Sequence, residues 1–541
     1  MFSSNNLKAW KETFIPTPAS KATLDEGVLP ADLWFEIAII VEPRDLLAMK
    51  LVCKALHEMF ADRELWKYVL HDVCHRHSIF LPSYPIDDMS LTELQRAALG
   101  PYRWARLLKR KANPSIRTES TRLLKPLKEN NHPLGVAPNS LQFLVPGGRF
   151  LFIAQRHSLD LWDLGVVGRQ PLEASTLIAR VHTAPPSRAS ALGLDGLAVI
   201  PLDDTTLRVA VALTGKNSLF NVYDICPIEQ GIKFQSVGSI AVHTEVEEKP
   251  VCKNLLIHGN RLHVSLTKLD ISFIWDFSTG RYTTGRPRMS NFNSDISQKV
   301  FTGTSVIEFG KDSLLAWAIP FSDADTASST DGFAYLDADF PRVTGEKHEV
   351  LYPTWRAIAI AMTTVHIPSL WHHGPVLPIT FDIIRETWAH EPSDDGATGF
   401  RYRVDVKPDP SDPLNSHKMG VAFKLLAKFE LPAGFCYTPL MDATPNAGLG
   451  ARHASAPIMR MAQPCRVVED VSSEVLYSLY SVTSHRAIPE VRLTPILKSA
   501  DGVRVVSPSL CSASGRLVHT VYMNGVPAFT RVSDYLSPWK D

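Results

Sequence analysis

Two kinds of hydrophobic pattern divide the chain near residue 130. Before this point apolar residues recur at helical spacing, whereas short β-type runs separated by turn residues dominate from about residue 140. The spacing predicts three short helices between residues 29 and 74. Their apolar stripes are Leu33, Ile37, Ile40 and Val41 in the first, Leu46, Met49, Cys53, Leu56 and Phe60 in the second, and Trp66, Val69, Leu70 and Val73 in the third.

Local signals predict where these helices begin and end. Asp45 and Asp62 are placed to cap the second and third helices, and Ser90 with Glu93 predicts a capping box further on. Gly100-Pro101 predicts a break between two later helical pieces. A helix of about 12 residues is marginal in water, and below about 40 residues a core needs outside help. Part of the first three apolar stripes is therefore expected to be covered by a partner protein.

The β-type runs share a loose form in which a strand ends in an aromatic-Asp pair. Three such runs end at Trp162-Asp163, Tyr223-Asp224 and Trp275-Asp276, with weaker echoes later in the chain. The loops between runs are rich in Pro, Asp and Ala and are predicted to be exposed insertions; one example is SDADTASSTDG. A repeated β unit is thus expected from about residue 131 to 541.

Composition and charge narrow the classes of protein. Of 541 residues, 45% are hydrophobic and 21% charged, which excludes a wholly disordered, collagen-like or coiled-coil chain. The 56 basic residues balance the 56 acidic ones, so the net charge is zero. The chain as a whole therefore does not attract nucleic acid or acidic membranes electrostatically. Residues 103–128 form one basic island. It is predicted to be a solvated linker, with contact to RNA, an acidic client or import machinery left open.

Cysteine usage and the apolar runs predict the compartment. The seven cysteines are far apart and include no C-x-x-C pair, which favours a reducing environment. The first thirty residues hold no apolar run of signal-peptide length, and no stretch of about 18 apolar residues occurs. We expect a cytoplasmic or nuclear protein without a membrane partner, and nucleic acid is not expected as a partner.

Residues 29–70 resemble an F-box, because the elements of that motif stand at its spacing. These elements are Leu29-Pro30, Leu33 with Ile37, Pro43-Arg44-Asp45-Leu46, Val52-Cys53-Lys54 and Leu65-Trp66. The helical segment and loose β repeats that follow are similar to fungal F-box proteins with propeller-like C-terminal regions. The resemblance implies an α+β chain with a flexible leader (1–27), an F-box (28–75), a helical and basic linker (76–130) and a β-rich client-binding domain (131–541).

The β-rich domain is expected to be an irregular WD-repeat-like β-propeller, although the repeats are longer than the roughly 40 to 45 residues of a regular WD-repeat. A β-sandwich or mixed β fold is the alternative.

The resemblance also implies a function without catalysis. An F-box docks on the Skp-type adaptor of a cullin ubiquitin ligase, and the C-terminal region holds an unidentified client protein. The alternatives are an adaptor-binding scaffold or sensor without a ligase role, and a β-propeller enzyme regulated through its F-box. The predicted adaptor-binding residues are Leu29, Pro30, Leu33, Ile37, Pro43, Leu46, Leu47, Val52, Cys53, Leu65 and Trp66.

Other chemistry finds weaker support in the sequence, so no catalytic, cofactor or metal site is predicted. His57-Glu58 lacks the second histidine of a zinc-protease helix, and Gly215-Lys216 lacks the remainder of a phosphate-binding loop. Three groups resemble sites but are interpreted mainly as structure or surface. The candidates for zinc are Cys74, His75 and His77, and those for a hard cation are Asp323, Asp325, Asp331, Asp337 and Asp339. The candidates for a client phosphate or carboxylate are Arg149, Arg156, Arg261 and Arg281.

Overall fold

The structure is a computed structural model that divides into two compact units, residues 1–65 and 66–541. Predictions for residues 1–30, including Leu29 and Pro30, lie outside the described residues. The structure describes residues 31–108, 119–124, 140–155, 157–169, 175–184, 192–244, 250–267, 271–285, 298–301, 305–309, 313–318, 327–328, 333–336, 347–351, 361–366, 371, 379–387, 397–408, 419–431, 435–438, 441–442, 458–464, 475–483, 490–499, 503–523 and 526–536.

The helices of the described residues all precede residue 109. They are α1 (Ala31–Ile40), α2 (Pro43–Met49), α3 (Lys54–Met59), α4 (Arg63–Arg76), α5 (Leu91–Ala98) and α6 (Gly100–Leu108), with 3-10 turns at Leu81–Ser83 and Ile86–Asp88. The capping box is confirmed, because Glu93 N donates to Ser90 Oγ at 3.3 Å and Ser90 N donates to Glu93 Oε2 at 2.7 Å. The predicted break at Gly100-Pro101 is confirmed to within one residue. In the described part of the chain no helix is long and apolar enough to cross a membrane.

The described strands of the second unit form seven sheets, numbered here in chain order. Sheet 1 contains β2 (Leu141–Leu144), β3 (Phe150–Ala154), β4 (Ser158–Asp163) and β5 (Thr176–His182). Sheet 2 contains β6 (Gly193–Pro201), β7 (Leu207–Thr214), β8 (Asn217–Ile225), β9 (Gln235–Thr244) and β18 (Phe333–Leu336). Sheet 3 contains β10 (Val251–His258), β11 (Arg261–Thr267), β12 (Ile271–Asp276), β13 (Arg281–Gly285) and β17 (Ala327–Ser328).

The later sheets have a similar plan, with four strands in sheets 4 to 6 and five in sheet 7. Sheet 4 contains β14 (Gln298–Phe301), β15 (Ser305–Phe309), β16 (Ser313–Ala318) and β19 (Lys347–Leu351). Sheet 5 contains β20 (Ala361–His366), β21 (Ile379–Thr387), β22 (Ala397–Pro408) and β23 (Met419–Leu431). Sheet 6 contains β24 (Phe435–Thr438), β26 (Ile458–Pro464), β27 (Val475–Thr483) and β28 (Glu490–Ser499). Sheet 7 contains β1 (Ser120–Leu124), β25 (Met441–Asp442), β29 (Val503–Cys511), β30 (Arg516–Met523) and β31 (Val526–Asp534).

The seven sheets follow one another in a closed cycle. β2 contacts β6 and β29, β10 contacts β6 and β14, β23 contacts β16 and β28, and β28 contacts β29. The first strand of the cycle pairs with the last, since β1 runs antiparallel to β31 from Ser120↔Asp534 to Leu124↔Thr530. Successive, mainly antiparallel sheets of four or five strands closed in this way are the arrangement of a β-propeller. The predicted fold class, N-terminal helices followed by a mainly β, propeller-like region, is confirmed.

The strands of sheets 1 to 3 hold the densest apolar packing described. Every residue of β3 and of β7 is buried, as expected for strands covered on both faces. One apolar cluster contains Phe152 and Leu161 of sheet 1 with Val209 and Val211 of sheet 2, and a second joins sheets 2 and 3. Burial between neighbouring sheets therefore stabilises this part of the cycle.

The predicted linker, residues 76–130, lies within the second unit (residues 66–541), which we call the β unit. Several of its described side chains pack against that unit's strands. Phe80 is fully buried in the first apolar cluster, with its ring 6.2 Å from that of Phe150. The Trp104 ring lies 6.0 Å from that of Tyr535. Within the basic island, β1 completes sheet 7 and places the Arg122 guanidinium 3.6 Å from the Asp534 carboxylate. Apolar residues between the basic ones account for this packing. Lys109, Arg110, Lys111, Arg117, Lys125 and Lys128 lie outside the described residues.

Trp371 links sheets that are not neighbours in the cycle. It lies between β20 and β21 of sheet 5, and its buried ring is stacked at 5.8 Å on Phe143 of β2 in sheet 1. The same ring meets Phe80 edge-on at 6.2 Å. This aromatic contact joins the β20–β21 connection to sheet 1 and to the helical segment of the same unit.

An arginine–aspartate pair recurs at the same place in four sheets. The arginine stands at or next to the start of one strand and the aspartate ends the following strand, or comes one residue before its end. The pairs are Arg149–Asp163 at 2.8 Å, Arg208–Asp224 at 2.7 Å, Arg261–Asp276 at 3.4 Å and Arg516–Asp534 at 2.5 Å. The aromatic-Asp endings therefore do mark repeats. Arg149 and Arg261, which were interpreted mainly as surface, pair with aspartates of their own sheets, and Arg149 Nη1 also donates to Pro82 O at 3.2 Å. Arg156 lies outside the described residues.

Two of these arginines also bind the next sheet. Arg516 Nη1 donates to the carbonyl oxygens of Gly148 at 2.7 Å and Gly165 at 2.9 Å, both in turns of sheet 1. Arg208 Nη1 of sheet 2 donates to Gly259 O of sheet 3 at 2.9 Å. Each guanidinium thus joins an aspartate of its own sheet to a turn of the neighbouring one, and we call this contact an arginine bridge.

The Asp-rich connection after β16 was predicted to be an exposed loop, and this is corrected in part. Two of its pieces extend neighbouring sheets at their outer edges, β17 beside β13 and β18 beside β9. Free edges of strands pair readily with any extended segment, which the loop composition did not reveal. The five aspartates weighed for a cation lie outside the described residues.

Replacing Arg516 by alanine is expected to destabilise the β unit strongly. The side chain is fully buried, and its loss leaves the buried Asp534 carboxylate without its closest partner. Breaking a buried pair in this way costs about 3–5 kcal/mol. The matched variant Arg261→Ala removes a longer, partly exposed pair and should cost less than about 1 kcal/mol. Chemical denaturation followed by circular dichroism measures both; equal losses would contradict the arginine bridge.

Acid is expected to weaken the same contact. Burial alone would raise the pKa of Asp534, but the charge and hydrogen bonds of Arg516 outweigh it and hold the pKa below the ordinary value of 3.8. A carboxylate with a lowered pKa stabilises the fold above its unfolded value and loses this effect as the pH falls through the folded value. The stability difference between the natural protein and Asp534→Asn should therefore shrink below about pH 4. Thermal unfolding at several pH values tests this, and a constant difference would refute it.

Candidate functional site

The N-terminal unit is built from short helices whose ends depend on backbone geometry. α2 begins after Glu42, whose backbone is extended (φ −62°, ψ 141°), and Pro43 occupies the first turn. The sequence predicted Asp45 as the cap of this helix, and the structure corrects that position. Asp45 lies inside the first turn, where a negative charge is favourable, and its carboxylate is 3.2 Å from Arg44 Nε. The predicted cap Asp62 is confirmed, because its Oδ1 accepts from Glu64 N at 3.0 Å.

The predicted second helix is interrupted in the structure. α2 ends at Met49, and α3 begins at Lys54 after an extended Cys53 (φ −154°, ψ 165°). Between them, Leu51 and Val52 lie in a turn. Both short helices keep the apolar spacing of one long helix, and neither glycine nor proline marks the break. Periodicity alone therefore could not find this turn.

Part of the predicted adaptor-binding set is buried in the structure. Leu46 is fully buried, and Pro43, Leu65 and Trp66 are buried as well. A side chain without accessible area cannot contact a partner unless the helices rearrange. These four side chains pack inside the described helices, and their contact with an adaptor stays a prediction.

Other apolar side chains of the same unit face solvent. The exposed fractions are 48% for Leu33, 70% for Ile40, 83% for Leu51 and 72% for Val52. Cys53 is exposed too, and Ile37 and Leu47 are half-buried. Ile40 and Leu51 were absent from the predicted set; Leu51 was missed because it falls off the stripe of a continuous helix. We name Leu33, Ile40, Leu51 and Val52 the exposed apolar set.

This concentration of exposed apolar side chains has a physical consequence. Ten large hydrophobic side chains are exposed among the described residues, and the exposed apolar set supplies four of them within residues 33–52. Scattered single residues need no explanation, whereas a local concentration is typical of protein contact surfaces. The unit thus presents a surface suited to binding an apolar partner.

The group weighed for zinc does not have the properties of a metal site. Cys74 is buried in α4, and burial raises the pKa of its thiol. The thiolate binds metals and the neutral thiol does not, so this side chain fits a packing role. The His75 ring lies 4.6 Å from that of His71 on the same helix. Within the described ranges, no group of three or more His, Cys, Asp or Glu is placed to hold a metal ion.

A polar cluster lies buried in sheets 3 and 4. Lys299 Nζ is 3.5 Å from Glu308 Oε2 and donates to Ser272 Oγ at 3.4 Å. His263 is fully buried nearby; burial and the charge of Lys299 hold its pKa well below the usual range. These side chains have no access to a substrate in solvent. We interpret the cluster as internal pairing between neighbouring sheets.

Comparison with known proteins adds an independent finding. A family model described as F-box-like matches residues 27–72. No curated protein sequence matches the chain. The WD40 domain of SCAP from fission yeast is similar to the chain at 9% identity and a TM-score of 0.36, covering 73% of this chain and 83% of that one. A chain of a humanised Polycomb Repressive Complex 2 from Chaetomium thermophilum is similar at 11% identity and a TM-score of 0.31, covering 67% and 71%.

The family match coincides with the helices that carry the exposed apolar set. Its bounds enclose α1, α2 and α3 completely and most of α4. The cyclic order of the sheets rests on strand pairing and contacts within this chain. The chain therefore carries an F-box-like domain at residues 27–72, followed by a mainly β region of antiparallel sheets.

Proposed function

We propose that the chain is the substrate-recognition subunit of a Skp-cullin-F-box ubiquitin ligase. The F-box-like domain supports a role as an adaptor-binding module of this ligase class. One observation carries the proposal for this particular chain, namely the exposed apolar set within that domain. The domain would bind the Skp-type adaptor, and the adaptor would link it to a cullin.

The energetics of burial favour such a partner. Covering a large aliphatic side chain stabilises a contact by about 1.5–3 kcal/mol. An ordinary protein interface buries about 800 Å² on each partner, so a 40-residue helical segment offers enough surface for one. The exposed apolar set would supply the central contacts, since a few well-buried side chains carry most of the binding energy.

The β unit would hold the client protein. Its strands begin at residue 120, after the F-box-like match at residues 27–72 ends, so client binding and adaptor binding can be assigned to separate parts of the chain. The buried titratable groups described above serve packing, and we propose no chemistry of the chain's own; other subunits would carry out ubiquitylation. We propose a cytoplasmic or nuclear location, in keeping with the thiols of Cys74 and Cys252, which form no disulfide.

Replacing Leu51 and Val52 together by aspartate is expected to abolish adaptor binding. Each substitution places a charge where an apolar contact is needed, and losing two such contacts should weaken binding at least about 100-fold. Both side chains are exposed in the free chain, so its thermal stability should change little. Gel filtration and calorimetry of the full chain with a Skp-type adaptor measure the effect.

The matched control for this pair is Ile228→Asp. Ile228 is 53% exposed but lies in the β unit, so its substitution should leave adaptor binding unchanged. Binding that survives the Leu51→Asp, Val52→Asp change, or that is lost equally with Ile228→Asp, would contradict the proposed surface.

Leu46→Ala is expected to act through stability instead. Truncating a fully buried leucine costs about 2–5 kcal/mol, so the helices around it should open more often. Backbone amides of α1 to α3 should then exchange hydrogen faster in Leu46→Ala but not in Leu33→Ala. Hydrogen exchange measured by mass spectrometry checks this. Equal exchange in the two variants would show that Leu46 does not pack these helices together.

Client recognition and ligase activity need a separate experiment. Affinity purification of the natural chain beside the Leu51→Asp, Val52→Asp variant should retrieve clients with both, and adaptor and cullin with the natural chain alone. Those clients should be ubiquitylated by the reconstituted complex. A complex that recruits the adaptor without ubiquitylating any retained partner would favour a scaffold.

A further inference from the structure

Among the described residues, the outer edge of sheet 2 is only partly covered. β9 spans ten residues, and on one side β8 pairs with it from Asp224↔Gln235 to Asn217↔His243. On its outer side β18 covers only the last four residues of β9, from Phe333↔Ala241 to Leu336↔Thr244. No other described strand pairs with residues 235–240 on that side.

The covering strand comes from elsewhere in the chain. β18 lies within the connection between β16 and β19 of sheet 4, and it runs parallel to β9, whereas the other strands of sheet 2 pair antiparallel. Four paired residues provide few hydrogen bonds to balance the entropy of ordering them. The pairing therefore depends on the tether, which keeps the local concentration of the strand high.

The uncovered part of the edge is accessible. Gln235, Ser236 and Ser239 are exposed, whereas Ile240 and Val242 are buried. Backbone N–H and C=O groups along an exposed strand edge are a template for another extended segment. An incoming segment that paired along all of β9 would contact ten residues where β18 contacts four.

We propose that the outer edge of β9 is a peptide-binding edge, which residues 333–336 occupy from the same chain until an extended segment of a partner protein replaces them. The present occupant indicates the chemistry of that segment. Its sequence is Phe-Ala-Tyr-Leu, so a rival segment is apolar, extended and free of proline, with backbone hydrogen bonds supplying most of the affinity. This edge belongs to the β unit, and its occupancy is independent of adaptor binding.

The test displaces the internal strand and offers a substitute. Ala334→Pro with Tyr335→Pro removes two adjacent backbone N–H groups, of which one faces β9 in any strand geometry. The matched control, Ala324→Pro with Asp325→Pro, lies in the same connection outside β17 and β18. The probe is a fluorescently labelled peptide of residues 331–338, followed by anisotropy with each full-length protein; a second peptide carries proline at the position of Ala334.

The Ala334→Pro, Tyr335→Pro protein should bind the probe at least about tenfold more tightly than the natural and control proteins do. None of them should bind the proline peptide. Equal affinity in all three proteins, or no binding to the variant, would overturn the proposal. Circular dichroism verifies that the variants are folded.

A measurement on the natural protein keeps the proposal testable if the variant does not fold. Amides of β18 should exchange hydrogen at least about 100-fold faster than those of β8, because the strand leaves the edge repeatedly. Equal protection of β18 and β8 would mean that residues 333–336 are a fixed part of sheet 2 and would overturn the proposal.

Discussion

The described helices of the N-terminal unit (residues 1–65) span about 35 residues, which are too few to bury every apolar side chain that they carry. This limit determines which side chains of the unit are exposed. The described helices bury some of their apolar side chains and leave others exposed. Leu46, Phe60 and Leu65 are buried, while the exposed apolar set stays in contact with water. Exposure of apolar surface to water is unfavourable, so covering these side chains with a partner lowers the free energy of the complex. This is the physical basis of the proposal that the F-box-like domain at residues 27–72 binds a second protein.

The β unit solves a different problem, which is the closure of a cycle of sheets. Each sheet must bury its faces against two neighbours, and the final sheet must meet the first. β1 completes sheet 7, and Arg516 links Asp534 of that sheet to turns of sheet 1. Trp371 adds a contact between the β20–β21 connection and sheet 1. These contacts join parts of the chain that are distant in sequence.

Much of this architecture could be predicted from local sequence. Capping at Ser90, the break at Gly100-Pro101 and the aromatic-Asp ends of repeats depend on residues close together in the chain, and the structure confirms them. Contacts between distant residues were missed for the opposite reason. The residues beside Arg516 in the sequence do not indicate its hydrogen bond to the Gly148 carbonyl. Those beside Trp371 do not indicate its contact with Phe143. The resemblance of residues 29–70 named the module correctly, yet it could not separate the buried Leu46 from the exposed Val52, because burial depends on the turn between α2 and α3.

A hydrogen-exchange footprint of the full chain with and without a Skp-type adaptor tests the central claim most directly. If the exposed apolar set is the contact, amides of residues 47–54 should exchange at least about tenfold more slowly in the complex. Amides of the seven sheets should be unchanged. Protection confined to the sheets, or no protection of residues 47–54 at saturating adaptor, would contradict the account.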